Sequence, residues 1–419
     1  MTAAGHGRKL DRMRSPSNNP FLPGSDRVPE IWAGRSPEIA DFRDVLRPRR
    51  VNGLYERGRA VLGEFGIGKS ALINRIAADA AELGDWVPSR VRVAVDADVF
   101  DLVARSLQGF LETRRTDARV ARSTDGMLRR IEEIRLPAGG VRLRADQPTP
   151  NAYRALFDVI VELASLAGEE GRLLLIRVDE IQNIARPGPL SQLLTVFGDA
   201  LEATRHRRDV AGIDREDALP LAVYLSGLPD FHRHAAEAGA TFSRRFRTAE
   251  LDPLSPMDLR EALSPFTGEG WRVLTDDGTA RVVMEGHAVD DLIARSLGDP
   301  FLFQLAGEGA WNAGTGEVIT REESDRGWHS VRREVERYVR SRLDGLTDLQ
   351  MSVLTAAAGL DENHRTGAAV AAAVGRSSSA QIASTTRSLD VEHHLIRRQA
   401  GRIAFRSPAV EAHLAGGWP

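Results

Sequence analysis

Over residues 59 to 225 the chain alternates between short apolar runs and segments whose apolar residues recur at helical spacing. Arg59-Ala-Val-Leu-Gly63 predicts a strand, and Ala71–Leu83 a helix with Leu72, Ile73, Ile76 and Ala80 on one face. Val91-Arg-Val-Ala-Val95 alternates as a second strand, followed by a helical pattern from Val99 to Leu111. Ala152–Leu166 is again helical. Leu173–Val178 is apolar except for Arg177, and Leu219–Leu225 is another apolar run. Strands alternating with helices predict an α/β core, a parallel sheet covered by helices on both faces. The basic stretch 114–150 has too weak a pattern to place.

Residues 1–18 lack apolar periodicity and read as a disordered leader. An extended stretch from Asn19 leads to a helix marked by Ile39, Phe42, Val45 and Leu46. Beyond Pro253 the pattern is mostly helical to about Val339. Gly345-Leu-Thr347 then opens a segment that reads as a winged helix: Asp348–Ala358, Thr366–Val374, Ser378–Leu389, and a hairpin of Leu395–Arg398 and Arg402–Phe405. The expected organisation is a leader over 1–18, a core over 19–250, a helical lid over 251–344 and a winged-helix domain over 345–419.

Composition narrows the chemistry. With 42% hydrophobic residues, 27% charged and a formal charge of −3 over 419 residues, no global basic charge points to nucleic acid, so any such contact is local. No apolar run is long enough to span a bilayer, no export signal is seen, and a cytoplasmic location is expected. Without cysteine there is no thiolate chemistry, and a metal would be held by oxygen. Only two of the 56 basic residues are lysines, Lys9 and Lys69. Against such an arginine bias, Lys69 suggests a task for a compact ammonium, which fits where a planar guanidinium is too wide.

That task is set by its neighbours. Gly63, Glu64, Phe65, Gly66, Ile67, Gly68, Lys69 and Ser70 form Gly-x4-Gly-Lys-Ser between a strand and a helix, the pattern that cradles a nucleotide's phosphates. The loop and Ala71 would bind ATP, with Lys69 on the β- and γ-phosphates and Ser70 on Mg2+. Leu173–Val178 ends in Asp179-Glu180: Asp179 would hold the Mg2+ and Glu180 would polarise the attacking water. Ser226, at the end of the next apolar run, either touches the γ-phosphate or positions the attacking water, or simply opens a turn. Arg244 and Arg245, between Phe242 and Phe246, are either an arginine finger offered to a neighbouring subunit, Arg244 being preferred, or a solvated pair.

Together these residues resemble AAA+ ATPases of the origin-recognition and archaeal-ATPase type, which shade into STAND signalling ATPases. The likeness also draws on Pro29-x4-Gly34-Arg35-x2-Glu38 and on Gly298-Asp-Pro-Phe-Leu-Phe-Gln-Leu305. It implies an α/β P-loop NTPase core, a helical lid and a C-terminal winged-helix domain. It also implies that Trp32, Ala33 and Arg35 lie near the adenine and that Pro300 abuts the nucleotide from the lid. Where many relatives carry a lid arginine, this chain has Phe301. The expected activity is Mg2+-dependent ATP hydrolysis driving a homo-oligomeric switch or assembly motor on DNA or a nucleoprotein complex. The alternative is a STAND-like signalling switch with protein partners only. Arg397, Arg398 and Arg402 would meet phosphates in the first case, whereas in the second the winged helix is a docking module.

Overall fold

Five strands assemble the sheet that the apolar runs predict: β1 (Gly58–Gly63), β2 (Val91–Arg92), β3 (Leu174–Asp179), β6 (Leu221–Gly227) and β7 (Phe246–Leu251). Between β3 and β6 the chain adds a separate antiparallel hairpin, β4 (Thr204–Arg208) and β5 (Asp214–Ala218). The structure, a computed structural model, describes residues 13–25, 27–114, 118–135, 150–184, 186–208, 214–239, 244–275, 278–399 and 401–419. These form two units, one over Arg35–Leu251 and one combining the described residues up to Gly34 with Asp252–Pro419.

In the first unit the strand order is β2-β3-β6-β1-β7, every pair parallel. The register sets Val178 beside Leu225 and Leu62 beside Gly227, so β3, β6 and β1 end at one edge of the sheet. Helices Lys69–Glu82, Val99–Thr113, Pro150–Glu169 and Pro187–Glu202 bury Leu72, Ile76, Leu107, Leu156, Ile160, Leu194 and Phe197 against it. Each such side chain contributes about 1.5–3 kcal/mol by leaving water. Asp98 caps Val99–Thr113 by accepting from the amides of Phe100 and Asp101 at 3.0 and 3.2 Å. Arg59 on β1 pairs with Asp41 at 2.6 Å and ties the segment after Arg35 to the sheet.

Several elements depart from the pattern reading. β2 is only two residues long, because Asp96 turns left-handed at φ 62° and Val95 is exposed. Part of the unplaced stretch 114–150 is a helix, Ala118–Arg135, while 136–149 lies outside the described residues. Strand β7 was not anticipated: its sequence, Phe-Arg-Thr-Ala-Glu-Leu, is polar in the middle because it is an edge strand.

The second unit is mostly helical, with Gly286–Ser296, Pro300–Asn312 and Arg321–Ser341 at its centre. It also contains strands within a stretch expected to be mostly helical: β8 (Trp271–Thr275), β9 (Gly278–Met284) and β10 (Val318–Ile319) form a three-stranded sheet. Alternating residues and an Asp-Gly at 277–278 are hairpin signals that a helix-only reading passes over. The winged-helix arrangement follows, with helices Asp348–Ala358, Gly367–Ala373 and Ala383–Val391 and a hairpin of β11 (Ile396–Gln399) and β12 (Arg402–Phe405). A 3-10 turn, Ser379–Ile382, occupies the start of what the sequence suggests is one helix from Ser378.

The N-terminal segment packs within this second unit. Phe21 stacks on Phe266 with centroids 5.8 Å apart, and Phe21 and Ile31 are buried in its core. Of the leader, 1–12 lie outside the described residues, but Pro16–Asn18 form a 3-10 turn and Arg14 is buried. Arg14 donates to the Gly316 and Val318 carbonyls at 2.8 and 2.9 Å and to Glu323 at 2.6 Å. A buried guanidinium needs such acceptors, and they come from residues about 300 positions away, beyond the reach of local periodicity.

Candidate phosphate and metal site

At the end of β1 the chain turns through Glu64–Gly68 into helix Lys69–Glu82. Gly66 and Gly68 have φ of 78° and 94°, angles that side chains disfavour, and this lets the backbone curl back on itself before the helix starts. A helix N-terminus presents unpaired amides and a positive dipole end, the usual place for a phosphate. Lys69 is 6% exposed, and its ammonium donates to the carbonyls of Gly63 and Glu64, each at 2.8 Å. The loop thus holds its own cation at the position where phosphate charge is expected.

Asp179, at the tip of β3, gathers the neighbouring groups. Its Oδ2 accepts from the Ser70 hydroxyl at 2.8 Å; its Oδ1 accepts from the Ser226 hydroxyl and, at 3.0 Å, from the Glu180 amide. Asp179 and Ser226 are essentially inaccessible. Ser226 therefore aims its hydroxyl at the carboxylate. Glu180 adopts φ 61°, ψ 43°, a left-handed conformation that is costly for a glutamate. Its side chain accepts from Gln182 Nε2. A strained residue next to a buried carboxylate at a strand tip has the character of a functional position.

A hydroxyl and a carboxylate 2.8 Å apart form a hard oxygen pair suited to Mg2+, which takes one or two protein oxygens and completes its shell with phosphate and water. Among the described residues no cluster of three or more His, Cys, Asp or Glu could form a dedicated metal cage. The residues present fit a magnesium nucleotide: glycine turn, ammonium, hydroxyl and carboxylate converge at one sheet edge.

The remaining candidates are spread more widely. Arg35, at φ 64°, donates to the Ile67 carbonyl at 3.0 Å and so touches the phosphate loop. Trp32 and Pro300 belong to the second unit, where the Trp32 indole donates to Gly34 at 2.8 Å and Pro300 opens helix Pro300–Asn312. Arg245 is tied to Asp199 and Glu202, each at 2.8 Å. Arg244 is exposed and makes no ion pair among the described residues. It precedes Phe246, which pairs with Gly58, so it lies at the end of the sheet away from Gly63.

Comparison with known proteins agrees with this geometry. Residues 31–210 match the family of the AAA ATPase domain. This stretch is similar to AAA ATPase domains. A Walker-type ATPase of Pyrococcus abyssi has 13% identity to the chain at a TM-score of 0.52, covering 91% of this chain and 96% of that one. The Aeropyrum pernix ORC2 protein, solved with ADPNP and ADP, has 14% identity at a TM-score of 0.51, covering 97% and 96%. The Aeropyrum pernix ORC1 protein in complex with DNA is a weaker likeness, with 16% identity at a TM-score of 0.41 over 93% and 94%. No curated protein matches by sequence. The resemblance to AAA+ ATPases is thus borne out in domain family and in fold.

Two arginines near Asp179 carry no motif signal in the sequence. Arg90 lies 3.2 Å from Asp179 Oδ2, although nothing in the sequence order brings residue 90 to residue 179. Arg177, the one charge inside the β3 run, is buried and donates to Asn74 at 3.1 Å and to the Pro88 carbonyl at 3.0 Å. Burial, and then the Arg90 charge, push its pKa down to about 10, while Asp179 opposes them. A charge inside a buried strand signals that a partner is needed, and the structure supplies it.

The second unit has an arginine of its own at the lid turn. Asp299 caps Pro300–Asn312 through the amides of Phe301 and Leu302, and accepts from Tyr338 at 2.8 Å and Arg342 at 3.3 Å. Burial raises the Asp299 pKa against these partners. Arg342 also donates to Ser407 at 3.0 Å, which links the lid turn to the last helix of the winged-helix segment.

Proposed function

We propose that the protein binds and hydrolyses ATP with Mg2+ and works in the cytoplasm as a homo-oligomeric AAA+ switch or assembly motor on DNA or a nucleoprotein complex. The observation that supports the reading most is the placement of Lys69, Ser70, Asp179 and Glu180 at one edge of the sheet, with Asp179 bonded to Ser70. Lys69 leaves its loop carbonyls for the β- and γ-phosphates, and the loop amides with Ala71 close around them. Ser70 and Asp179 hold Mg2+, which when bound neutralises charge on the β- and γ-phosphate oxygens. Ser226 keeps the Asp179 carboxylate oriented. Glu180 takes the attacking water and draws off its proton. Arg35 braces the phosphate loop, Trp32 and Pro300 serve the base and lid sides, and Arg244 reaches the site of a neighbouring copy.

The DNA part of the proposal rests on the wing, where Arg397 and Arg402 are exposed on the hairpin. The protein-only reading has two observations in its favour. The helix that would enter a groove begins at Ala383 and carries only Arg387, and Arg398 is engaged 3.6 Å from Asp390.

Replacing Glu180 with Gln tests the catalytic assignment. The variant is expected to bind ATP as the wild type does and to lose steady-state phosphate release. Wild-type turnover in this variant would make Glu180 a turn residue only.

A further inference from the structure

Arg90 stands just ahead of β2, and β2 runs beside β3 with Arg92 level with Asp179. Its Nη1 is 3.2 Å from Asp179 Oδ2, the same oxygen that accepts the Ser70 hydroxyl. The two partners differ in access: the Asp179 side chain is 1% exposed and that of Arg90 16%. A carboxylate this buried is costly unless a charge or several donors compensate it, and the arginine at the mouth supplies that charge.

We propose, resting on the ATP-site reading, that Arg90 is a positioning residue that neutralises Asp179 in the nucleotide-free protein and makes the site favour Mg-ATP over Mg-ADP. A dication held by Ser70 and Asp179 would compete with this guanidinium for the one carboxylate, so that part of the compensation of Arg90 would have to come from phosphate oxygens. Arg90 must then find another anion. The γ-phosphate of ATP offers one at the same sheet edge, and ADP does not. The cost of moving Arg90 off Asp179 is therefore recovered more fully with ATP than with ADP, which carries one phosphate fewer. Ion pairing at Asp179 becomes a comparison between the two nucleotides.

The test compares wild type, Arg90→Gln and Arg90→Lys in the full chain. Melting in EDTA without nucleotide reads the compensation of Asp179: Arg90→Gln is expected to melt lower and Arg90→Lys to recover part of the difference. Calorimetric affinities for ADP and for a β,γ-imido ATP analogue, each over a range of magnesium chloride, read the preference. In Arg90→Gln the ratio of the two affinities is expected to fall about tenfold, within the usual span of couplings between binding sites. Half-saturating magnesium for ADP should fall with it. An unchanged ratio and unchanged magnesium midpoint, with or without a lower melting point, would make Arg90 a structural ion-pair partner and overturn the proposal. If Arg90→Gln does not fold, Arg90→Lys carries the same comparison, because its shorter ammonium weakens the reach to both anions. Wild-type protein that binds neither nucleotide would instead remove the ATP-site reading, and this inference with it.

Discussion

The sheet edge and the wing hairpin both present charged groups, but they are built on opposite terms. At the edge, Lys69, Asp179 and Ser226 are buried and each has a partner at hydrogen-bond distance. On the hairpin, Arg397 and Arg402 are exposed, and Arg398 makes a loose pair with Asp390 at 3.6 Å. Groups held out of water by a packed sheet can act on a substrate without reorganising, and their charges are poorly screened. Exposed arginines on a two-stranded hairpin attract any polyanion and are screened by salt. The first arrangement specifies chemistry; the second specifies at most a sign of charge.

Three perturbations sharpen this contrast. The largest effect is expected from Lys69→Ala, which removes the buried ammonium and leaves the Gly63 and Glu64 carbonyls without their donor. Nucleotide binding and turnover should both be lost; micromolar ATP affinity in this variant would show that the edge is not a phosphate site.

Next comes Arg244→Ala. Its neighbour Arg245 is bound to Asp199 and Glu202, while Arg244 is exposed just ahead of β7 and is the proposed finger for another copy. Turnover should drop roughly a thousandfold, the scale on which trans arginines contribute, with ATP affinity nearly intact. Mixing this variant with Glu180→Gln protein should restore part of the activity through sites that combine an intact Glu180 with an intact Arg244. Oligomers that mix without regaining activity would leave Arg244 a surface residue.

The smallest effect is expected on the hairpin. If DNA is bound, replacing Arg397 and Arg402 with Gln should weaken binding for all sequences and reduce the logarithmic salt slope by about 2, close to one unit per phosphate contact. Adding Arg398→Gln should change the slope little further, because Asp390 already competes for that arginine. A slope that does not move in the double variant favours the protein-only switch.

Much of the first unit was legible because its signals are local. A strand, a Gly-x4-Gly-Lys-Ser loop and an amphipathic helix occur in order, and β3 ends in Asp179-Glu180, so periodicity and spacing were enough. The winged-helix segment was legible for the same reason, and in the structure reciprocal bonds between Thr347 and Gln350 cap its first helix. The β8–β9 hairpin is marked in the sequence only by an Asp-Gly turn inside a mostly helical stretch, and edge strand β7 has a polar centre that hides its strand pattern.

By itself, the sequence determined which residue types stand at the end of which element: the lysine in the glycine loop, the carboxylates after an apolar strand, the arginines on the last hairpin. Only the tertiary structure decided what they meet. Strand order β2-β3-β6-β1-β7 sets Asp179 between Ser70, Ser226 and Arg90, and residues about 300 positions away enclose Arg14. The reason is physical: a helix or strand period is written within a few residues, whereas the partner of a buried charge is chosen by whichever distant segment the sheet register and core packing bring within about 3 Å.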